Sequence, residues 1–179
     1  ERLTISNMTT EWGALAGIFP IDNVTISWLT NRSKLITNRG LEDVPSDADG
    51  KNGSHPRIND ERIDMLEKEN LKADDDAYYI QEIQLNLNSV RPHISGPNHV
   101  KSMTSISDAE AKEIKINKAY LVSCVNSRVD DLAAAAKVVK NHKIAPEVEF
   151  YIAAASNEVQ AQSEKVGDWQ TLVDAGATP

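Results

Sequence analysis

Apolar residues recur most regularly in the last third of the chain, where short apolar runs alternate with helix-forming stretches. The pattern predicts strands at residues 119–123 and 148–153 and helices at 130–140, 157–166 and 169–174. Ser156 precedes the second of these helices as an N-cap. Strand, helix and strand in this order indicate a βαβ unit, in which the helix carries the chain back so that the strands lie parallel.

The first part of the chain shows shorter patterns. Residues 3–5 predict a strand, and the spacing of apolar residues over 12–19 predicts a helix after it. A second helix is predicted from Asp22 or Asn23 onward, and a charged third helix covers 61–71 with Asn59 or Asp60 as its cap.

The middle of the chain is more polar. Residues 38–56 consist almost entirely of polar and turn-forming residues, and we interpret them as a surface insertion. The alternation of Ile83, Leu85 and Leu87 with polar residues predicts a strand with one solvated face. Ser107 and Glu110 form a predicted capping box at the start of a short helix.

Composition narrows the function classes. The 179 residues are 40% hydrophobic and 26% charged, with a formal net charge of −8 and no basic cluster that could follow a phosphate backbone, so nucleic acid is not an expected partner. No apolar run approaches the roughly 20 residues that span a bilayer, and we expect no membrane partner. The single cysteine excludes an internal disulfide and fits a reducing compartment.

The most distinctive stretch is the turn between the strand at 119–123 and the helix that follows it. This turn carries Cys124, Asn126, Ser127 and Arg128 at the carboxyl end of a strand, where open α/β sheets bind their ligands. The adjacent helix N-terminus favours a bound anion. A lone cysteine after an apolar strand is, however, more often a small core residue, and the residues alone leave both interpretations open.

A second junction of this kind is predicted near the N-terminus. Asn7 or Thr9 can cap the helix that follows residues 3–5, which places Glu11 in its first turn. Asn7 is then either a simple N-cap or a ligand-facing polar group, and Glu11 either a partner of the helix dipole or a functional carboxylate.

Three segments together resemble the aconitase superfamily. Residues 123–128, Ser-Cys-Val-Asn-Ser-Arg, are similar to its Ser-Cys-Thr-Asn-Ser motif. Residues 4–14 resemble its segment around Ile-Cys-Asn-Met-x-x-Glu-x-Gly-Ala, and residues 91–97 resemble its Lys-Pro-His-Ile-x-Gly-Pro segment. Val125 and Ser6 replace the usual threonine and cysteine. Arg128 and the residues after it look more like the branch that includes isopropylmalate dehydratases and homoaconitases than like aconitase itself.

The resemblance assigns roles to the candidate residues. Cys124 is implied to be one of three thiolate ligands of a [4Fe–4S] cluster, whose open iron acts as a Lewis acid. Asn7 is implied to form hydrogen bonds beside the cluster, and Glu11 to belong to the catalytic network around the bound hydroxyl or water. The remaining matched residues are implied to shape an anion-binding, substrate-binding surface: Asn126, Ser127 and Arg128.

The same resemblance implies a fold class and a domain organisation. The class is α/β, with three-layer α/β/α aconitase-type domains and mostly parallel sheets. Residues 1–92 are then the C-terminal part of one domain, and residues 93–179 the N-terminal part of the next. Since Glu1 is not an initiator methionine and the other two cluster cysteines of the family follow a position like Pro179, we expect an internal piece of a longer protein.

The implied reaction is a dehydration and rehydration that interconverts homoisocitrate and cis-homoaconitate in lysine biosynthesis, in the mitochondrial matrix. The implied partners are a small tricarboxylic acid and the remaining domains of the same polypeptide, and the piece alone is expected to be inactive. Isopropylmalate dehydratase and aconitase are the alternatives within the superfamily. A non-catalytic α/β module that binds anions at Cys124–Arg128 is the alternative from another class.

Overall fold

The computed structural model describes residues 1–40, 54–69 and 71–179. These residues form two compact units, one built from Glu1–Gly17 with Asn86–Pro179 and the other from Ile18–Leu85. The predicted boundary between residues 92 and 93 concerns the domains of a longer protein and stays a prediction. Residues 41–53 of the predicted insertion lie outside the described residues.

Helices predominate among the described elements. The helices are α1 (Arg2–Asn7), α2 (Thr9–Trp12), α3 (Asn23–Arg39), α4 (Asp60–Glu69), α5 (Ile106–Glu110), α6 (Val129–Val139), α7 (Asn157–Val166) and α8 (Asp168–Ala175). The strands are β1 (His93–Ser95), β2 (Met103–Ser105), β3 (Lys118–Val122), β4 (Glu149–Ala153) and β5 (Ala177–Thr178). A 3₁₀ turn at Leu87–Ser89 precedes β1.

A parallel sheet forms the centre of the first unit, in the strand order β3-β4-β5. Lys118 pairs with Glu149 at one end of the β3–β4 ladder and Val122 with Ala153 at the other. The predicted βαβ unit and α/β class are therefore confirmed. The sequence pattern missed β5, which is only two residues long, and the antiparallel β1–β2 hairpin.

The core of this unit lies on one face of the parallel sheet. Leu132 of α6 and Leu172 of α8 are completely buried, and Ile152 of β4 is 2% exposed. Trp169 and Ala136 complete the contact between the helices and the sheet. Because each buried leucine contributes roughly 1.5–3 kcal/mol through its removal from water, these contacts hold α6 behind the carboxyl end of β3.

The second unit contains α3 and α4, which pack on each other; Ile36 of α3 and Ile63 of α4 are buried. Their starts follow the sequence prediction. Asp22 caps α3 by accepting a hydrogen bond from the Thr25 N–H, and Asn59 accepts one from Arg62 N–H at the start of α4. No helix among the described residues combines the length and apolarity needed to cross a membrane.

Three predictions for the shorter patterns were wrong. Residues 3–5 lie in α1 rather than a strand, because a strand needs a neighbour for its backbone groups, whereas this helix satisfies its own with bonds such as Met8 N to Thr4 O. The helix expected over 12–19 stops at Trp12, because Gly13 adopts a left-handed conformation with φ of +81°. Ile83 and its alternating neighbours form no strand and stay exposed.

The predicted capping box near Ser107 was displaced by two residues. Ser105 is the N-cap of α5, and its hydroxyl accepts from the Asp108 N–H. Asp108 thus takes the place in the first turn that the sequence pattern gave to Glu110.

A polar cluster lies on the face of the parallel sheet opposite the core. Lys118 and Glu149 are a cross-strand ion pair, with Lys118 Nζ 3.1 Å from Glu149 Oε2. The Tyr151 hydroxyl donates a hydrogen bond to the same carboxylate. Tyr151 also stacks on Tyr120, with ring centroids 5.4 Å apart. The hydrogen bond from Tyr151 is the largest cause that lowers the pKa of Glu149, and the hydrogen bond and charge of Lys118 lower it further. In turn, the hydrogen bond to Glu149 raises the pKa of Lys118 and the pKa of Tyr151.

We expect Tyr151→Phe to raise the pKa of Glu149 towards its ordinary value, because the largest cause of the lowering is removed. A carboxyl with a lowered folded pKa stabilises the fold above its unfolded pKa, and this contribution is lost as pH falls through the folded value. The variant should therefore lose less stability than the parent chain as the pH falls from neutral through the folded pKa of Glu149. NMR titration of Glu149, with Tyr78→Phe as an exposed control, measures the shift; an unchanged Glu149 pKa would contradict it.

Candidate functional site

The turn from β3 to α6 is organised by the side chain of Ser123. Its hydroxyl oxygen accepts hydrogen bonds from the backbone N–H groups of Val125 and Asn126, at 3.1 and 3.0 Å. Ser127 N–H donates to the Ser123 carbonyl at 3.3 Å. These bonds close the chain into a tight turn directly after the strand.

The end of this turn is tied to both neighbouring elements. Ala155 N–H, just beyond β4, donates to the Ser127 carbonyl at 2.9 Å. Arg128 N–H donates to the Asp131 carboxylate at 3.1 Å, which caps α6. The turn therefore has fixed ends at the carboxyl edge of the sheet, where the sequence placed a ligand site.

Cys124 lies on the exposed side of this turn, as a free thiol. Its exposure argues against the interpretation as a small core residue. In the described part of the chain, no three or more His, Cys, Asp or Glu side chains are grouped so that they could hold a metal ion. Cys124 can therefore supply one ligand to a larger site, but these residues do not form a complete metal site.

The other three predicted residues of the turn differ in accessibility. Asn126 and Arg128 are exposed, whereas Ser127 is completely buried and its hydroxyl has no hydrogen-bond partner within the described residues. A ligand could contact the first two side chains directly. Ser127 can act only through the backbone bonds that shape the turn, unless the turn opens.

Asn7 and Glu11 lie on consecutive short helices. Asn7 ends α1, and the N-cap of α2 is Met8, so Asn7 is not the predicted N-cap. Glu11 occupies the first turn of α2, as predicted. Its Oε2 atom is shielded from solvent and has no hydrogen-bond partner among the described residues. A shielded carboxylate oxygen without a donor costs free energy, which is typical of a group that serves a ligand or a proton.

A hydrogen bond joins the N-terminal segment to the cysteine turn. The Thr4 hydroxyl of α1 donates to Oδ1 of Asn126 at 2.7 Å, across 122 positions of sequence. The sequence interpretation gave Thr4 no role, although it stands one helical turn before Asn7. Only its place inside the matched N-terminal segment could have drawn attention to it.

The third matched segment belongs to the same compact unit. Residues 91–97 run through β1, and the Ile106 N–H donates to the Pro92 carbonyl. Lys101, in the loop after β1, places its Nζ 3.5 Å from the position that a Cβ would have on Gly13. All three matched segments therefore fall in the unit formed by Glu1–Gly17 and Asn86–Pro179.

Comparison with known proteins matches the sequence to one family. The model of the aconitase family (aconitate hydratase) matches residues 1–179. Proteins named "Homoaconitase, mitochondrial" are 51% identical in Mycosarcoma maydis, 49% in Candida albicans and 52% in Gibberella zeae. These alignments cover 99–100% of the chain but only 22–24% of each relative, so the chain spans about a quarter of their length.

We expect the stability of the chain to respond differently to truncation of two serines of the turn, Ser123 and Ser127. Ser123→Ala removes an acceptor of two backbone N–H groups and should lower the free energy of unfolding by about 1 kcal/mol. Ser127→Ala removes a buried hydroxyl that has no hydrogen-bond partner among the described residues, and it should leave stability unchanged or raise it slightly.

Chemical denaturation of the 179-residue chain compares the two variants. Ser163→Ala is the control, because Ser163 is also buried and its hydroxyl has no hydrogen-bond partner in the described part of the chain. An equal loss in the Ser123 and Ser127 variants would contradict this account of the turn.

Proposed function

Since the chain belongs to the aconitase family, we propose that it is part of a hydro-lyase that interconverts homoisocitrate and cis-homoaconitate in lysine biosynthesis. The observation that carries the proposal is the convergence of the three matched segments in one compact unit. The Thr4–Asn126 hydrogen bond supports it, because it connects two of those segments. The names of the relatives support homoaconitase over the other members of the family and suggest a mitochondrial location.

The cofactor proposed for this site is a [4Fe–4S] cluster. When bound, such a cluster supplies a Lewis-acidic iron that makes hydroxide a feasible leaving group. Cys124 is the residue of this chain that would hold it. Its exposed thiol on a constrained turn suits a ligand to a group shared with other parts of the protein. The remaining ligands would come from residues outside this chain, because the chain has a single cysteine.

The protein groups have separate proposed tasks. Glu11 would hold or move the proton of the substrate hydroxyl or of water, since its Oε2 is shielded and has no competing donor among the described residues. Asn7 would donate or accept hydrogen bonds near the reacting groups. Asn126 and Arg128 would bind substrate carboxylates, and Ser127 would keep their backbone in position.

The proposed partners are a small tricarboxylic acid and the remaining domains of the same polypeptide. An assay of the full-length protein against cis-homoaconitate, cis-aconitate and isopropylmaleate tests the substrate. Highest kcat/KM with cis-homoaconitate is expected. Preference for one of the other two acids would reassign the protein within the family, and no activity on any of them with a loaded cluster would overturn the proposed function.

We expect Cys124→Ser in the full-length protein to prevent assembly of a stable cluster, because a ligand thiolate is removed. Iron and sulfide content and the brown cluster absorbance measure this directly. Val138→Ser, which also changes an exposed side chain, serves as the control and should retain the cluster. Full cluster content in the Cys124 variant would show that Cys124 is not a ligand of the cluster.

We expect the 179-residue chain alone to bind no stoichiometric iron and to show no hydratase activity, because one cysteine cannot hold the cluster. Anaerobic reconstitution followed by iron analysis checks this. One cluster's worth of iron per chain would show that the ligand set lies within these residues.

A further inference from the structure

The bond between Thr4 and Asn126 fixes a side chain in addition to joining two segments. Asn126 has one acceptor, Oδ1, and two N–H donors on Nδ2. The Thr4 hydroxyl donates to Oδ1 at 2.7 Å, and Nδ2 makes no hydrogen bond within the described residues. The amide is therefore held by its oxygen end, while its donor end is left for another partner.

The backbone beneath this amide is also fixed. The Asn126 N–H donates to the Ser123 hydroxyl at 3.0 Å, which sets the position of the Asn126 Cα within the turn. The side-chain amide is nevertheless exposed and could rotate, because the broad torsion next to the amide allows both orientations. The Thr4 hydroxyl is the group that favours one orientation over the other.

Thr4 is suited to this task by its own surroundings. It is half-buried on α1, where its carbonyl accepts from the Met8 N–H, so its hydroxyl is not needed to complete the helix. A β-branched side chain has few rotamers and holds its hydroxyl in place at low entropic cost. Asn7 lies three residues further along α1, and residues three apart stand on neighbouring positions of a helix surface.

We propose that Thr4 is a positioning residue, which holds the Asn126 amide so that its two N–H donors face a carboxylate of the acid bound at the Cys124 turn. The inference rests on the proposed function, since it assumes that a polycarboxylic acid binds there. Neutral N–H donors suit this position, because they recognise a carboxylate without adding a charge that must be paired when no ligand is bound.

Two variants of the full-length protein remove the hydroxyl. Thr4→Val removes the hydroxyl and keeps the shape of the side chain. Thr4→Ala removes the hydroxyl without adding apolar surface to a half-buried position. Both should raise KM by about two- to tenfold with little change in kcat, because a binding contact shared by ground state and transition state is weakened. Thr4→Ser keeps the donor and should restore KM to within about twofold of the parent.

Controls separate positioning from general damage. Thr30→Val is a matched control, because within the described residues the Thr30 hydroxyl donates only to the Ile26 carbonyl of its own helix. It should leave KM unchanged. In an Asn126→Ala background, Thr4→Val should have no further effect on KM, since the amide that it positions is gone.

The outcomes distinguish this inference from the proposed function. If the parent protein with a loaded cluster shows no hydro-lyase activity, the proposed function fails. If the parent is active but the Thr4 variants keep the parent KM, the positioning role of Thr4 is refuted. It is also refuted if Thr4→Val raises KM by the same factor in the Asn126→Ala background as in the parent. The positioning role is supported if Thr4→Val and Thr4→Ala raise KM, Thr4→Ser does not, and Thr4→Val causes no further rise in the Asn126→Ala background.

Discussion

The parallel pairing of β3 with β4 is the constraint on which the site depends. Five residues of each strand are in register, and α6 returns the chain from one strand to the next over a core centred on Leu132 and Leu172. A parallel connection of this kind brings both carboxyl ends to the same edge of the sheet. The bond from Ala155 N–H to the Ser127 carbonyl fixes the two ends to each other at that edge.

The turn at residues 123–128 receives its rigidity from this arrangement and its chemistry from a few side chains. Ser123 holds the turn, and Ser127 fills the space beneath it. The thiol of Cys124 and the amide of Asn126 remain exposed on the outer side. The hydrogen bonds of Ser123 and the packing of Ser127 thus determine the shape of the turn, whereas Cys124 and Asn126 are available to a ligand or to another part of the protein.

Two polar atoms of the candidate site lack hydrogen-bond partners within the described residues, and the free-energy costs of these missing bonds differ. The Ser127 hydroxyl is enclosed in the fold, so its missing bond is a local cost of packing beneath the turn. Glu11 Oε2 belongs to a carboxylate, for which an unmet bond is far more costly.

The sequence by itself determined the βαβ unit, its capped helices, the position of the cysteine turn and the family. These features depend on local patterns, namely apolar runs long enough to be buried and caps next to the helices they begin. It could not determine the conformation of residues 3–5 or 83–87, because an alternating segment becomes a strand only where a neighbour accepts its hydrogen bonds.

Only the tertiary structure decided which polar groups meet. It showed that Cys124 is exposed, that Ser127 is buried and that Thr4 reaches Asn126 across 122 positions. Contacts of this kind depend on how distant segments pack, and no periodicity in the sequence encodes them. The matched segments could be recognised from the sequence, but the hydrogen bond that connects two of them required the folded chain.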